Sequence, residues 1–152
     1  MRRLVALACL FAAACARTEN VSDNVAQHCD NRNIVVSFYK EALVDLHPRA
    51  AFERYMSPDF IEHKPDVPEG TREATIAFLE ALIADMPSPH WEIVRTIAEG
   101  DMVFLHARFS PAEGAPDYAI ADIFRLQDCL IAEHWDVVAG PPEAPQNPNS
   151  RF

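Results

Sequence analysis

Apolar and polar positions in the first part of the chain follow the period of a helix. Asp30 or Asn31 can cap this helix, and apolar side chains then recur every three to four residues as far as Leu43. Pro48 suits the first turn of a second, short helix that ends by Met56. The pattern therefore predicts two consecutive helices at the start of the domain.

A third helix and a set of strands are predicted further along. A wide apolar stripe runs from Gly70 to Met86, where Pro87 stops it, and the preceding residues 60–63 form a short extended piece. From Trp91 the pattern changes to strict alternation, with turns between the alternating runs. Helices followed by an antiparallel meander predict an α+β fold. The predicted strands of the meander are 91–98, 102–109, 117–126 and 130–138, and a proline-rich tail follows.

The N-terminal residues are typical of an export signal rather than of this domain. Two arginines precede the uncharged run Leu4–Ala14, which is shorter than the roughly 20 residues that a membrane-spanning helix needs. The small residues before Cys15 favour a lipoprotein signal, with Cys15 as the lipidated residue. Plain cleavage near Ala14 to Ala16 and a buried N-terminal helix are the alternatives. We expect an exported protein, either a periplasmic or membrane-anchored lipoprotein or a secreted one.

The chain is accordingly divided into a signal peptide, a tether and one domain. These parts cover residues 1–15, 16–29 and 30–152.

The charge of the chain limits its partners. The formal net charge is −10, and without residues 1–14 it becomes −12, because 11 cationic and 23 acidic residues remain. This balance argues against nucleic acid and anionic lipid as partners, so membrane contact is expected only through the lipid anchor. Cys29 and Cys129 remain in the folded part, where a disulfide and two separate thiols are both open. Their spacing matches no zinc pattern.

Asp122 is the first candidate for chemistry. Alternation places it on the face of its strand that carries the bulkier apolar groups. A carboxyl in such surroundings suits proton transfer near neutral pH, because burial disfavours its charged form. His106 lies on the preceding strand, and a hairpin would make it a neighbour of Asp122 on the same face, giving an acid/base pair. A purely structural role is the alternative for both residues.

Other polar residues offer further candidates. In the last strand Glu133 and Trp135 share one face, His134 and Asp136 share the other, and the sequence leaves open which pair lines a cavity. His63, beside a proline loop, fits either a pocket mouth or an ordinary surface. The closely spaced histidines of common metal motifs, a glycine-rich phosphate loop and the G-x-S-x-G motif do not occur. No metal or cofactor is therefore predicted.

A resemblance to a known family depends on five segments in a fixed order, which are 33–39, 55–65, 97–106, 122–126 and 133–137. Together they resemble the SnoaL-like polyketide cyclase family of the nuclear transport factor two-like superfamily. The resemblance implies a cone-shaped fold, with three N-terminal helices packed on a strongly bent antiparallel sheet that encloses a pocket. It also implies aldol-type chemistry without metal or cofactor.

The same resemblance assigns roles to particular residues. Asp122 matches the acid/base of the family, His106 the nearby histidine, and His63 a pocket histidine. Glu62 and Lys64 stand where the family motif carries amides. Cys129 stands where a glycine is common, which leaves the shape of that turn open.

Three hypotheses for function follow. The first is a cofactor-independent acid/base enzyme acting on a carbonyl compound by aldol condensation, cyclisation or isomerisation. The second is a non-catalytic binding protein or sensor for a small apolar ligand in the cell envelope, and the third is a structural envelope protein with a filled cavity. Apolar residues on both faces of 102–109 predict a homodimer through the outer face of the sheet. Besides Asp122 and His106, the expected pocket residues are Tyr39, Phe60, His63, Phe104, Tyr118, Ile120, Phe124, His134, Trp135 and Asp136.

Overall fold

Three helices form one layer of the computed structural model, which describes residues 29–152. Helix α1 (Asn31–Tyr39) is capped by Asp30, whose carboxylate accepts a hydrogen bond from the backbone N–H of Asn33, and a π-helical turn extends it to Val44. Pro48 opens helix α2 (Pro48–Tyr55). Helix α3 (Arg72–Ala84) is capped by Thr71 and follows a single 3₁₀ turn. The helices begin and end close to where the apolar period predicts.

A five-stranded sheet forms the other layer. Strands β2 to β5 make the predicted antiparallel meander, and the order across the sheet is β1-β5-β4-β3-β2. Strand β1 is added to the edge parallel to β5, so the sheet is mixed and the expectation of a wholly antiparallel sheet is wrong at this edge. Parallel pairing is possible because helix α3 and strands β2 to β4 lie between β1 and β5 in the chain, which are therefore not joined by a hairpin. The strands are β1 (Met56–Glu62), β2 (His90–Glu99), β3 (Met102–Ser110), β4 (Tyr118–Gln127) and β5 (Leu130–Ala139).

The core fills the space between the two layers at one end of the sheet. Phe38 of α1 contacts Phe52 of α2 and Phe124 of β4 edge-on, at ring-centroid distances of 5.2 and 5.9 Å. Val103 and Leu105 on the inner face of β3 are fully buried. The inner face of the sheet is thus the apolar face at this end, and the helices cover it.

The same end of the domain is closed by a disulfide. Cys29 is bonded to Cys129, with a Cα–Cα distance of 5.4 Å, and Asn31 donates a hydrogen bond to the carbonyl oxygen of Gly100 in the β2–β3 turn. Cys129 has a φ of +63°, the left-handed conformation that favours glycine. This backbone geometry explains why glycine suits this turn, and the cysteine occupies it here as one half of the disulfide.

The outer face of the sheet is partly covered by the C-terminal tail. The ring of Phe152 stacks on His106 at a centroid distance of 5.9 Å and lies 4.4 Å from the guanidinium of Arg108. Within residues 29–152 no helix is long and apolar enough to cross a membrane. The predicted signal, its lipidated Cys15 and residues 16–28 of the tether lie outside the described residues and stay predictions.

Candidate functional site

A cavity of about 400 Å³ separates the helices from the inner face of the sheet. Its inner end is walled by buried rings of the core, including Phe38, Phe52 and Phe124. Its other end contains Leu82 of α3 and Val138 of β5, which are 36% and 45% exposed. The mouth of the cavity therefore lies at the end of the domain opposite the disulfide. The remaining apolar lining residues are Leu43, Met56, Val67, Phe78, Leu79, Trp91, Phe109 and Ile120.

Strand pairing collects the polar groups of the cavity on one face of the sheet. Glu62, the last residue of β1, is the direct partner of His134 in the parallel β1–β5 pair. Phe124 is opposite His134 across β4–β5, and Asp122 comes two residues before Phe124 on the same face. Three titratable side chains from three adjacent strands thus meet in the cavity wall, although Glu62 and His134 are 72 residues apart in sequence.

His134 lies between two buried carboxylates. Its Nδ1 is 2.8 and 2.9 Å from the two carboxylate oxygens of Glu62, and its Nε2 is 3.2 Å from Oδ1 of Asp122. The Glu62 and Asp122 side chains are only 2% and 9% exposed. Ionised carboxylates only accept hydrogen bonds, so the arrangement is satisfied when both ring nitrogens of His134 donate.

The electrostatics agree with this geometry. Burial lowers the pKa of His134, but the hydrogen bonds and negative charges of Asp122 and Glu62 outweigh burial and raise the pKa to about 9. The raised pKa therefore favours the imidazolium form of His134 at neutral pH.

Two polar atoms of the site have no partner. Oδ2 of Asp122 and the hydroxyl of Tyr39 are both buried, and neither has a group of the described residues at hydrogen-bonding geometry. Burial, followed by the negative charge of Asp122 and a hydrogen-bond interaction with it, raises the pKa of Tyr39 well above its usual value, so its hydroxyl stays protonated. Both residues line the cavity. An acceptor and a protonated hydroxyl therefore lie near each other in the cavity wall, and neither makes a hydrogen bond of good geometry within the described residues.

A second charged pair lies on the same wall. Nζ of Lys64 is 2.7 Å from Oδ2 of Asp136, and the backbone N–H of Lys64 donates to Oε1 of Glu62 at 2.9 Å. Burial lowers the pKa of Lys64, but the bond to Asp136 outweighs it and the pKa is raised. Lys64 thus stays charged and neutralises Asp136, while its backbone fixes Glu62.

The structure sorts the residues expected from the sequence into two groups. The face of β5 left open by the sequence is settled, because His134 and Asp136 line the cavity while Trp135 points to the outer face. The expected residues found in the cavity wall are Tyr39, Tyr118, Ile120, Asp122, Phe124, His134 and Asp136.

His106 is not beside Asp122. In the β3–β4 hairpin the partner of Asp122 is Leu105, so His106 projects from the opposite face of the sheet. There its Nδ1 is 2.7 Å from the guanidinium of Arg95, and burial together with Arg95 lowers its pKa. The expected His106–Asp122 pair is wrong for this reason, and His134 is the histidine next to Asp122.

Four other expected pocket residues, Phe104, His63, Trp135 and Phe60, lie outside the cavity wall. Phe104 pairs with Ile123 on the outer face of the sheet. His63 stacks on Trp135 at 4.4 Å and bonds Glu133, also outside the cavity. Phe60 is buried in the core against Phe52.

Glu62 was not among the expected site residues, although the sequence carried a signal for it. It lies two positions after Phe60, so a charged residue occupies the inward face of its strand. Among residues 29–152 no cluster of three histidine, cysteine or acidic side chains is arranged to hold a metal ion.

An apolar cavity with a few convergent polar groups defines a small-molecule pocket protein. The profile of the SnoaL-like domain matches residues 35–134, and the chain belongs to that family. No curated protein matches the chain.

Solved structures share the fold, which is that of nuclear transport factor two-like proteins. TsrD from Streptomyces laurentii is 21% identical with a TM-score of 0.59, over 71% of this chain and 87% of TsrD. A candidate polyketide cyclase from Acidithiobacillus ferrooxidans is 19% identical with a TM-score of 0.60, over 71% of this chain and 87% of that one. An NTF2-like protein of unknown function from Cytophaga hutchinsonii is 19% identical with a TM-score of 0.58, over 74% of this chain and 92% of that one.

Proposed function

We propose that the chain is a cofactor-independent acid/base enzyme that acts on a small carbonyl compound. The observation that carries the proposal is the buried carboxylate of Asp122, which has one oxygen held by His134 and the other unpartnered in an apolar cavity. A general base needs this combination of a fixed position and a free lone pair.

The proposed reaction starts with proton removal. Oδ2 of Asp122 takes a proton from the carbon next to the carbonyl, and the electrons of the C–H bond form an enolate. The protonated hydroxyl of Tyr39 donates a hydrogen bond to the enolate oxygen. In an aldol reaction the enolate carbon then attacks a second carbonyl of the same molecule, and Asp122 gives its proton to the new alkoxide. In an isomerisation Asp122 instead gives its proton to another carbon of the conjugated enolate.

The cavity supports a particular kind of substrate. Its volume falls within the range of about 300–1,000 Å³ that is usual for ligand sites. Its polar wall combines four acids with two cations, so a carboxylate or phosphate in the ligand would be disfavoured. The substrates that fit best are uncharged, mostly apolar carbonyl compounds.

Exchange of carbon-bound protons for deuterium tests the proposal. Enolisable ketones are incubated with the protein in D₂O, and loss of the proton signal next to the carbonyl is followed by NMR. Asp122→Asn is expected to reduce exchange by about 10²–10⁴-fold and Tyr39→Phe by a smaller factor. His106→Asn is the control, because loss of a titratable side chain on the outer face should leave exchange unaltered. Equal exchange by wild type and Asp122→Asn would refute the proposal.

A non-catalytic binding protein for a small apolar ligand is the second candidate, and the mainly apolar lining of the cavity favours it. Under this hypothesis no ketone exchanges faster than in buffer. Asp122→Asn then changes only the affinity of a bound ligand, which titration calorimetry measures.

The predicted homodimer and the predicted export remain part of the proposal. Exposed Ile97 and Val137 lie on the outer face of the sheet and are compatible with a second copy packing there. Light scattering gives the test, since a monomeric mass at high concentration would count against the dimer. Mass spectrometry of the protein from cells would detect lipid on Cys15.

A further inference from the structure

We propose that Glu62 is a positioning residue, which keeps the imidazole of His134 doubly protonated and so holds Asp122 with one oxygen bound and the other facing the cavity. The inference deepens the proposed function and rests on it, since Asp122 is the group that acts on the ligand there.

The geometry of His134 carries the first step. Glu62 and Asp122 approach the two ring nitrogens from opposite sides, at 2.8 and 3.2 Å. In a neutral imidazole one nitrogen would direct a lone pair at an ionised oxygen, which is repulsive. The second proton of His134 therefore depends on the carboxylate at the other end of the ring, and that carboxylate is Glu62.

Glu62 is itself held rigidly. Its side chain is nearly inaccessible, and the backbone N–H of Lys64 donates to its Oε1. A β-carbon at Gly70 would lie 2.6 Å from the carbonyl oxygen of Glu62, so the backbone of Glu62 is tightly packed as well. Its carboxylate is thus prepositioned toward His134 and adds no rotational freedom to the site.

The remaining charges around His134 do not replace Glu62. Asp136 is already paired with Lys64 at 2.7 Å, and Tyr39 is neutral. The titratable groups that line the cavity are Tyr39 on α1, Glu62 on β1, Lys64 and Asp66 after β1, Tyr118 and Asp122 on β4, and His134 and Asp136 on β5.

The consequence for catalysis is that His134 and Asp122 have separate roles. Both imidazolium protons are used within the protein, so His134 donates none to a ligand. Its Nε2–H instead fixes Oδ1 of Asp122, which leaves Oδ2 as the only free acceptor of the Glu62–His134–Asp122 group. Without the charge of Glu62, His134 loses its second proton more readily, and Asp122 loses its fixed orientation.

Nitrogen-15 NMR of the histidine ring tests the inference without any substrate. Wild type, Glu62→Gln and Glu133→Gln are labelled on histidine and titrated from pH 5 to 10. Glu133 is the matched control, because it bonds His63 on the outer face. In wild type we expect both nitrogens of His134 to be protonated at pH 7 and to titrate near pH 9. In Glu62→Gln the midpoint should fall by at least one pH unit, and Glu133→Gln should leave it unchanged.

Two results would overturn the inference. One is a His134 that is neutral at pH 7 in the wild type, a measurement that does not depend on the folding of any variant. The other is a Glu62→Gln protein whose His134 titrates as in the wild type.

Deuterium exchange at the ketone separates this inference from the proposed function. If the histidine spectra are as expected but no ketone exchanges its protons, the positioning of Asp122 by Glu62 stands and the proposed enzymatic function is refuted. Where exchange occurs, its rate should fall at high pH with the same midpoint as the titration of His134. In Glu62→Gln this fall should move to lower pH, and in Glu62→Asp it should return part of the way to the wild-type position. An unshifted profile would count against Glu62 as a positioning residue.

Discussion

The stability of the domain should depend on pH through His134. The pKa of this histidine is raised in the folded state from 6.5 to about 9. A base whose pKa is higher when folded contributes its full stabilisation below pH 6.5 and loses it as the pH rises through 9. At about 1.4 kcal/mol per pH unit, the free energy of unfolding should fall by on the order of 3 kcal/mol across this window. The side chain is only 14% exposed, so solvent screens the interaction little.

Urea titrations at half-unit steps from pH 6 to 9.5 measure this fall. The other groups with a shifted pKa act outside the window, as two buried or packed examples show. The lowered pKa of His106 reduces stability as the pH falls below 6.5, and the raised pKa of Tyr39 reduces it only above about pH 10. The variant His134→Gln should be less stable throughout but nearly independent of pH between 6.5 and 9. A flat wild-type curve in this window, or an equal fall in His134→Gln, would refute the reasoning.

Two further predictions concern the backbone and the disulfide. Gly70→Ala should destabilise the domain more than Gly100→Ala, because both glycines have a φ of +60° but only at Gly70 would the new methyl group meet a carbonyl oxygen. Urea titration should show that the free energy of unfolding falls by about 1 kcal/mol in Gly100→Ala and by at least twice that in Gly70→Ala. Equal losses in the two variants would contradict this prediction. Replacing Cys29 and Cys129 by serine should lower the free energy of unfolding by about 2–4 kcal/mol, because the bridge joins residues 100 positions apart. Reductant should have the same effect on the wild type, and a protein indifferent to it would contradict the bridge.

The periodicity of the sequence predicts the elements well, because each element buries one face. Strict alternation from Tyr118 to Leu126 places Asp122 on the same face as Ile120 and Phe124, and the structure has these three residues in the cavity wall. Alternation within one strand depends only on that strand, so it can be recognised without knowing the neighbours.

The sequence does not specify which face of one strand lies on the same side of the sheet as a given face of the next strand. Strand β3 carries apolar residues on both faces, so its pattern does not say whether Phe104 and His106 or Leu105 faces the helices. The hairpin register decides it, and Leu105 is the partner of Asp122. A shift of one residue moves every side chain to the other face, and this shift separates the expected His106 from the observed site.

The Glu62–His134 contact could not be predicted from the sequence for another reason. It depends on the parallel pairing of β1 with β5, which joins residues far apart in the chain. No local pattern encodes that pairing. The charged residue on the inward face of β1 shows only that Glu62 needs a buried partner, without saying which one.

The disulfide also makes residue 29 a mechanical anchor. It joins the start of the domain to the β4–β5 turn, at the end of the sheet away from the cavity mouth. Tension applied from residues before Cys29 is therefore transmitted to a hairpin turn and bypasses helix α1, which carries Tyr39 into the cavity. The cavity mouth lies at the opposite end of the domain from the point where such a load would enter the fold.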